Sequence, residues 1–437
     1  MMNSANKIER INRVNPTIVT FSIIQNVKLL ILLILLGLTF LLATEKPIVI
    51  MVSFDGFRYD YMENVDTPHF DFVRENGVKA ESLQPVFPSL TFPNHYSLAT
   101  GAYTGTHGIT ANTFYNRQTE EVYSMYDAST VQDAKWYGAE PIWVTAERQN
   151  IRSASFFWIG SEAPILGIYP SIYKKYNGKI PFKTRVDSVI TWLKLPEEIR
   201  PQLVMLYFSE PDHTGHRQGP DSPKIPEVVE EMDSILGYLL NQIQTLTIAD
   251  NINLIIVSDH GMASVDTSRF IVLDDYISQM DDIYVEGDGS FSQIDINSHD
   301  YVLTFMNESR RIPHLTAYSK ESIPLRFHFI NHNTADFLLV ADDGWFISTN
   351  EYLEYGFPSV RGMHGYDPKS KLMHGIFYAY GTKFKANLQI DSFELIHIYP
   401  LVCEILDIKP FGGTAPSYKD KPDGNIRVLK NILVGQD

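Results

Sequence analysis

The chain has 437 residues, 44% hydrophobic and 20% charged, with a formal net charge of −16. That length suits one large α/β domain carrying an insertion, and the composition excludes a disordered chain. The acidic balance excludes a nucleic-acid duplex as the main partner, because phosphate backbones select basic surfaces, but bound divalent cations would reverse the field locally and leave a small anionic substrate open.

Residues 1–46 read as a segment outside the fold. Lys7, Arg10, Arg13 and Lys28 precede an apolar run from Leu29 to Ala43, broken only by Gly37 and Thr39. The run is shorter than the ~20 residues that span a bilayer comfortably, so it suits a signal-peptide core or a short signal anchor. The basic flank places the N-terminus in the cytoplasm and the rest outside, which predicts export, either cleaved or tethered through residues 29–43. The C-terminus shows no apolar tail of the kind a glycosylphosphatidylinositol anchor needs.

Pro47 to Phe54 is a continuous β-branched and apolar run, as expected for a central strand of a parallel sheet, and it ends in Asp55-Gly56. Similar strands are expected at Leu203–Phe208, ending near Asp212, and at 253–258, ending in Asp259-His260-Gly261. Each apolar strand delivers acids at its C-terminal end, the edge where open α/β sheets bind ligands. Val228, Val229, Met232, Ile235, Leu236, Leu239, Leu240 and Ile243 recur at helical spacing before the third strand. Residues 271–354 carry short alternating runs, among them Tyr301–Phe305 and Phe337–Val340, between polar loops. They read as an inserted α+β subdomain, which leaves 47–270 and 355–437 as the core. A late helix is expected over Ser392–Leu406, stopped by Pro410. Cys403, the only cysteine, falls in that apolar stretch, which reads as a buried thiol; no disulfide framework or cysteine-based zinc site is possible within the chain.

Asp55, the D-x-x-x-H pair Asp212 and His216, Asp259-His260, and the downstream His364 are the chemistry-bearing residues. An Asp after one strand is most often a turn or cap residue. Three strand ends converging on Asp and His suit zinc or a similar cation, and six such ligands suggest two ions. In Val86-Phe87-Pro88-Ser89-Leu90-Thr91-Phe92-Pro93-Asn94-His95-Tyr96, Pro93 fits a first helical turn and Gly101 a helix end. Thr91 would then stand at a helix N-terminus, as a capping hydroxyl or as a nucleophile activated by a cation.

These residues resemble the nucleotide pyrophosphatase/phosphodiesterase family of the alkaline phosphatase superfamily. The matching stretches are Ser53–Arg58, Phe87–Tyr96, His107-Gly108-Ile109 with Asn112, Trp136–Val144, Phe157–Tyr176, Asp212–Pro220, Ser258–Met262 and His364–Asp367, in order. The resemblance implies an α/β, alkaline-phosphatase-like core with a mostly parallel sheet flanked by helices. It implies two Zn2+ ions, one on Asp212, His216 and His364, the other on Asp55, Asp259 and His260 with Thr91 as reactive ligand. Thr91 would attack phosphorus, Asn112 would stabilise a phosphoryl oxygen, and Phe92 and Tyr176 would stack on a nucleobase. The expected activity is release of nucleoside 5′-monophosphates from nucleotide phosphodiester or pyrophosphate bonds. A choline-phospholipid head-group hydrolase is the alternative on the same site, with a phosphomonoesterase behind it. With one cysteine and no room for extra domains, the chain is most similar to compact members found in bacteria.

Overall fold

The computed structural model describes residues 28, 46–266, 268–354, 360–411 and 421–435. The chain divides into two units, Met1–Lys46 and Pro47–Asp437. The apolar run 29–43 lies outside the described residues, and no helix among the described residues is long and apolar enough to cross a membrane.

The second unit is organised on an eight-stranded sheet. In chain order its strands are β1 (Ile48–Phe54), β2 (Val78–Ala80), β3 (Ser153–Phe156), β4 (Ile172–Lys174), β5 (Leu203–Phe208), β6 (Ile252–Val257), β7 (Phe377–Tyr380) and β8 (Leu388–Ile390). Their order in space is β8-β2-β7-β6-β1-β5-β3-β4. Only β7 runs against the others, pairing antiparallel with β6 and β2. The apolar runs are continuous because both faces of the sheet are covered. On one face Val49 and Met51 of β1 meet α2 (Thr91–Thr100) and α6 (Ile398–Leu406). On the other, Ile50, Val52 and Phe54 meet α1 (Pro68–Asn76), α3 (Phe182–Leu193) and α5 (Lys224–Gln244). Each such side chain, fully withdrawn from water, contributes about 1.5–3 kcal/mol. The eight apolar positions read as one helical stripe are all buried along α5.

Between β6 and β7 the chain builds a second, four-stranded antiparallel sheet from Ile283–Glu286, Phe291–Ile296, Phe337–Ala341 and Leu315–Ser319. One face packs Ile294 and Leu339 against Phe305; the other sends Phe291, Leu338 and Val340 into the main core, where Phe87 stacks on Phe327 at 4.0 Å.

Two local expectations are corrected. Tyr301–Phe305 is not an extended run: Val302–Ser309 is a helix, with Leu303 facing solvent and Phe305 buried, which a five-residue apolar run cannot distinguish from a strand. The Ser392–Leu406 helix is shorter than expected. Phe393-Glu394 pairs with Leu83-Gln84 as a short strand, a 3-10 turn covers Leu395–His397, and α6 follows with Cys403 buried in it.

Candidate active site

Parallel pairing aligns the strand ends. The register of β1 with β5 and with β6 sets Phe54 beside Phe208 and Ser53 beside Val257, so the residues that follow leave the sheet together. Backbone bonds continue the alignment: Asp55 N–H donates to Phe208 O at 2.9 Å, and Asp212 N–H to Asp55 O at 2.9 Å. Gly56 N–H donates to Asp259 Oδ1 at 3.1 Å and Phe57 N–H to Ser258 Oγ at 2.8 Å. Asp212 and His216 then share one face of α4 (Asp212–Gln218), one turn apart. His364 arrives from far downstream, directly after the short strand Gly362-Met363, which pairs with Ala263-Ser264.

Two groups of potential ligands result, Asp55 with Asp259 and His260, and Asp212 with His216 and His364; within each, the ligand atoms lie within 4.8 Å of one another. The groups adjoin, because the His260 and His364 rings stack at 3.5 Å. Thr91 Oγ1 lies 3.2 Å from His260 Nε2. Thr91 is the first residue of α2, and the N-cap is Leu90, whose side chain makes no capping bond. The capping role for the Thr91 hydroxyl therefore falls away.

The donor set fits cations. Asp55 Oδ1, Asp212 Oδ1 and Asp259 Oδ2 are buried without a hydrogen-bond partner. Their polar neighbours are imidazole nitrogens: His260 Nε2 at 3.1 Å from Asp259 and 3.5 Å from Asp55, and His216 and His364 Nε2 at 3.4 and 3.5 Å from Asp212. His216 Nδ1–H donates to Gly362 O at 2.8 Å and His364 Nδ1–H to Ser89 O at 2.8 Å. Carbonyls only accept, so these rings carry their proton on Nδ1 and turn the Nε2 lone pair inward, the arrangement of a metal-ligating histidine. The two Nε2 atoms are 3.0 Å apart. Two lone pairs at that distance repel unless a positive charge sits against both.

The electrostatics point the same way. Burial, then the neighbouring Asp259 and Asp212, hold Asp55 well above the usual carboxylate range. Burial lifts Asp212 to about 7 against the pull of His260. Burial pushes His216 down to about 4, and burial with the adjacent His260 pushes His364 well down. Burial also opposes charge on His260, but Asp259 and Asp55 outweigh it and hold the imidazolium up to about 10. Asp259 stays well below its ordinary value despite burial, because His260 and His95 face it. Without added cations the cluster thus keeps protons where ligands need lone pairs.

Asn112 sits beside the start of α2. Its Oδ1 accepts from Phe92 N–H at 2.9 Å, which leaves its NH2 to donate. With Phe92 N–H taken and Pro93 lacking a donor, the helix start offers at most Thr91's own amide. Phe92 is partly buried and meets Tyr123 edge-on at 6.3 Å. Tyr176 is exposed, its ring 5.2 Å from Phe157 and 6.4 Å from Tyr207.

Residue patterns alone had assigned no role to His95, Tyr207 or Ser89. Tyr207 O–H donates to Asp55 Oδ2 at 2.6 Å. The fully buried His95 places Nδ1 2.9 Å from Thr91 O and 3.2 Å from Asp259 Oδ2, with Ser53 Oγ against Nε2 at 2.8 Å. Ser89 Oγ–H donates to Tyr366 O at 2.8 Å and accepts from Gly365 N–H at 3.1 Å, tying the Thr91 segment to the His364 loop.

A profile of the family described as type I phosphodiesterase / nucleotide pyrophosphatase matches residues 49–367. The chain belongs to the type I phosphodiesterase / nucleotide pyrophosphatase family. It is an enzyme of that type on an alkaline-phosphatase-like fold. Bis(5′-adenosyl)-triphosphatase enpp4 of Xenopus laevis is 37% identical over 390 residues, covering 86% of this chain and 82% of that protein. Human ectonucleotide pyrophosphatase/phosphodiesterase family member 5 is 35% identical, covering 88% of this chain and 80% of that protein. Against the venom phosphodiesterase of Naja atra the identity is 36%, over 84% of this chain but only 45% of that protein. Among solved structures, murine ectonucleotide pyrophosphatase/phosphodiesterase 5, as an inactive threonine-to-alanine variant in complex with AMP, superposes with a TM-score of 0.81 at 32% identity, over 89% of this chain and 100% of that chain. These relatives are animal proteins and do not bear on the resemblance to compact bacterial members.

One glycine of this nucleotide pyrophosphatase/phosphodiesterase site is sterically committed. Gly56 has φ +64°, and a Cβ there would lie 2.7 Å from Asp212 Cβ. Gly56→Ala is expected to cost about 1–3 kcal/mol of strain and to push Asp212 away from its partners. Elemental analysis should show divalent-cation uptake reduced relative to wild type while the fold is kept. Undiminished uptake would contradict the crowding argument.

Proposed function

We propose that the chain is a zinc-dependent phosphodiesterase/pyrophosphatase that hydrolyses nucleotide phosphodiester or pyrophosphate bonds and releases nucleoside 5′-monophosphates through a phospho-threonine intermediate on Thr91. The observation that carries this reading is the uncapped Thr91 hydroxyl, 3.2 Å from His260, beside two adjoining three-residue ligand groups. Asp212, His216 and His364 would hold one Zn2+, and Asp55, Asp259 and His260 the other. Bound there, two cations would lower the pKa of the Thr91 hydroxyl and offset charge on the attacking and leaving oxygens.

In this reading Thr91 Oγ1 forms a bond to phosphorus as the bond to the leaving oxygen breaks. Asn112 donates its NH2 to a non-bridging oxygen. Water then displaces Oγ1 and frees the monophosphate. Tyr207 and His95 keep Asp55 and Asp259 aimed inward, and the Nδ1–H bonds of His216 and His364 keep their Nε2 atoms available. The AMP held by the inactive murine relative supports a nucleoside monophosphate as product, and the threonine-to-alanine change in that protein supports a threonine at the chemistry. Relatives named as ecto-enzymes and venom proteins support export of residues 47–437. We assign residues 271–354, with their own sheet, as an insertion in the catalytic core.

A substrate panel tests the proposal. A p-nitrophenyl ester of thymidine 5′-monophosphate should be cleaved far faster than p-nitrophenyl phosphate or p-nitrophenyl phosphorylcholine. Preference for the choline ester would move the substrate to lipid head groups, and preference for the monoester would make the protein a phosphatase. Phe92 and Tyr176 are assigned to the base. Stacking contributes about 1–3 kcal/mol per base, so Tyr176→Ala should raise KM for the nucleotide ester roughly 5- to 150-fold with little change in kcat. An unchanged KM would remove Tyr176 from the base subsite.

A further inference from the structure

Arg185, in α3, is fully buried and, among the described residues, forms no ion pair with a carboxylate. Its nearest ionisable neighbours are tyrosines, Tyr176 and Tyr207. Nε–H donates to Ile180 O at 3.2 Å and Nη1–H to Tyr207 O at 2.8 Å, while Nη2 is buried with no hydrogen-bond partner. A guanidinium stripped of water without a counter-charge is costly, so a compensating interaction is required. An aromatic box supplies it: the guanidinium carbon lies 4.8 Å from the Phe182 ring centre, 5.1 Å from Phe157 and 5.9 Å from Phe208. Cation–π attraction strengthens when the cation is desolvated, as here.

Phe157 is the unusual member of the box. Its φ is +72°, a left-handed conformation disfavoured for a bulky aromatic residue. Backbone strain of this kind persists only where surrounding contacts hold it. One side of Phe157 meets the Arg185 cation, and its ring meets the ring of Tyr176 edge-on at 5.2 Å. Tyr176 is otherwise more than half exposed, with its backbone N–H tied to Glu162 Oε1 at 2.7 Å. An exposed tyrosine ring samples several rotamers unless something fixes it.

We propose that Arg185 is a positioning residue for the substrate base: it clamps Phe157 in its left-handed conformation, and Phe157 fixes the Tyr176 ring in the orientation that stacks. This rests on the assignment of Tyr176 to the base. It adds a specificity element that touches no substrate and lies behind the pocket wall.

The test compares two phosphodiesters on the full-length protein, the p-nitrophenyl ester of thymidine 5′-monophosphate, which carries a base, and bis(p-nitrophenyl) phosphate, which does not. Arg185→Met exchanges the cation for an apolar chain of similar length. It should still fold with a cooperative melt, although the cation–π contacts are lost and Ile180 O and Tyr207 O each lose a donor. KM for the nucleotide ester should rise about fivefold or more, part of the full stacking contribution. Its kcat, and both constants for the base-free ester, should hold. Equal losses on both esters, or loss of bound metal, would place the effect at Asp55 through Tyr207 and overturn the proposal, as would no change on either ester. If the Met variant does not fold, Phe157→Leu removes the ring edge with the core volume largely kept and should give the same split. Tyr176→Ala is the control. If it affects both esters alike, the base assignment itself is wrong; if it separates them and Arg185→Met does not, only the clamp is wrong.

Discussion

Thr91→Ala is expected to leave a folded, metal-competent protein that does not turn over. The fold does not lean on this hydroxyl. It caps nothing, and the start of α2 is held instead by Asn94, whose Oδ1 accepts from Val86 N–H and whose Nδ2 donates to Pro88 O and Leu90 O. Thr91, 9% exposed, contributes one methyl and one oxygen, so the stability cost of the change should be about 1 kcal/mol or less. Loss of a covalent nucleophile should lower kcat by roughly 10³-fold or more, and Thr91→Ser should restore most of it. Single-turnover assays with intact-mass measurement check both points. Near-normal turnover in Thr91→Ala would mean that water attacks phosphorus directly.

Removing the divalent cations is expected to abolish turnover and to destabilise the protein, both reversibly on adding zinc. Three carboxylates face one another, and without cations two of them, Asp55 and Asp212, are held above the usual carboxylate range. Ligation requires their protons to leave. At pH 7 His260, held up to about 10, must lose one, and Asp212, at about 7, contributes a fraction more. Calorimetry in buffers of different ionisation enthalpy should therefore show at least about one proton released per chain on metal uptake. Zinc at a thousandfold above its Kd should add about 4 kcal/mol to unfolding. The pH dependence has a definite sign. A carboxyl raised from 3.8 to about 7 adds stability to the metal-free fold at low pH and loses it as pH rises through about 7. His216, lowered from 6.5 to about 4, acts oppositely, losing stability as pH falls through that window. The two partly cancel in metal-free Tm. They do not cancel in metal affinity, which should weaken as pH falls because His260, Asp55 and Asp212 hold protons that ligation must displace, while His216 and His364 stay neutral.

The strands and the ligand-bearing turns were legible because both sheet faces are buried. Continuous apolar runs such as Ile48–Phe54 leave few alternatives, and the acids that follow them stand out against the run. The stripe of α5 was legible for the same reason at helical period. What remained hidden is long-range. Tyr207 reads as one more apolar strand residue, and only the β1–β5 register turns its hydroxyl to Asp55. His95 lies within a helical run of buried residues, and nothing local shows that it reaches Asp259, 164 positions away by number. Arg185 reads as the polar side of an amphipathic helix, yet it is buried completely. Val302–Ser309 and the start of α6 were misjudged where short apolar runs fit either period.

The most direct test of the account is the product set from ATP, measured with zinc-loaded protein and again with excess chelator. The account predicts AMP and pyrophosphate in equal amounts, with neither formed once the metal is removed. ADP and phosphate as the products, or AMP release that survives complete metal removal, would contradict it.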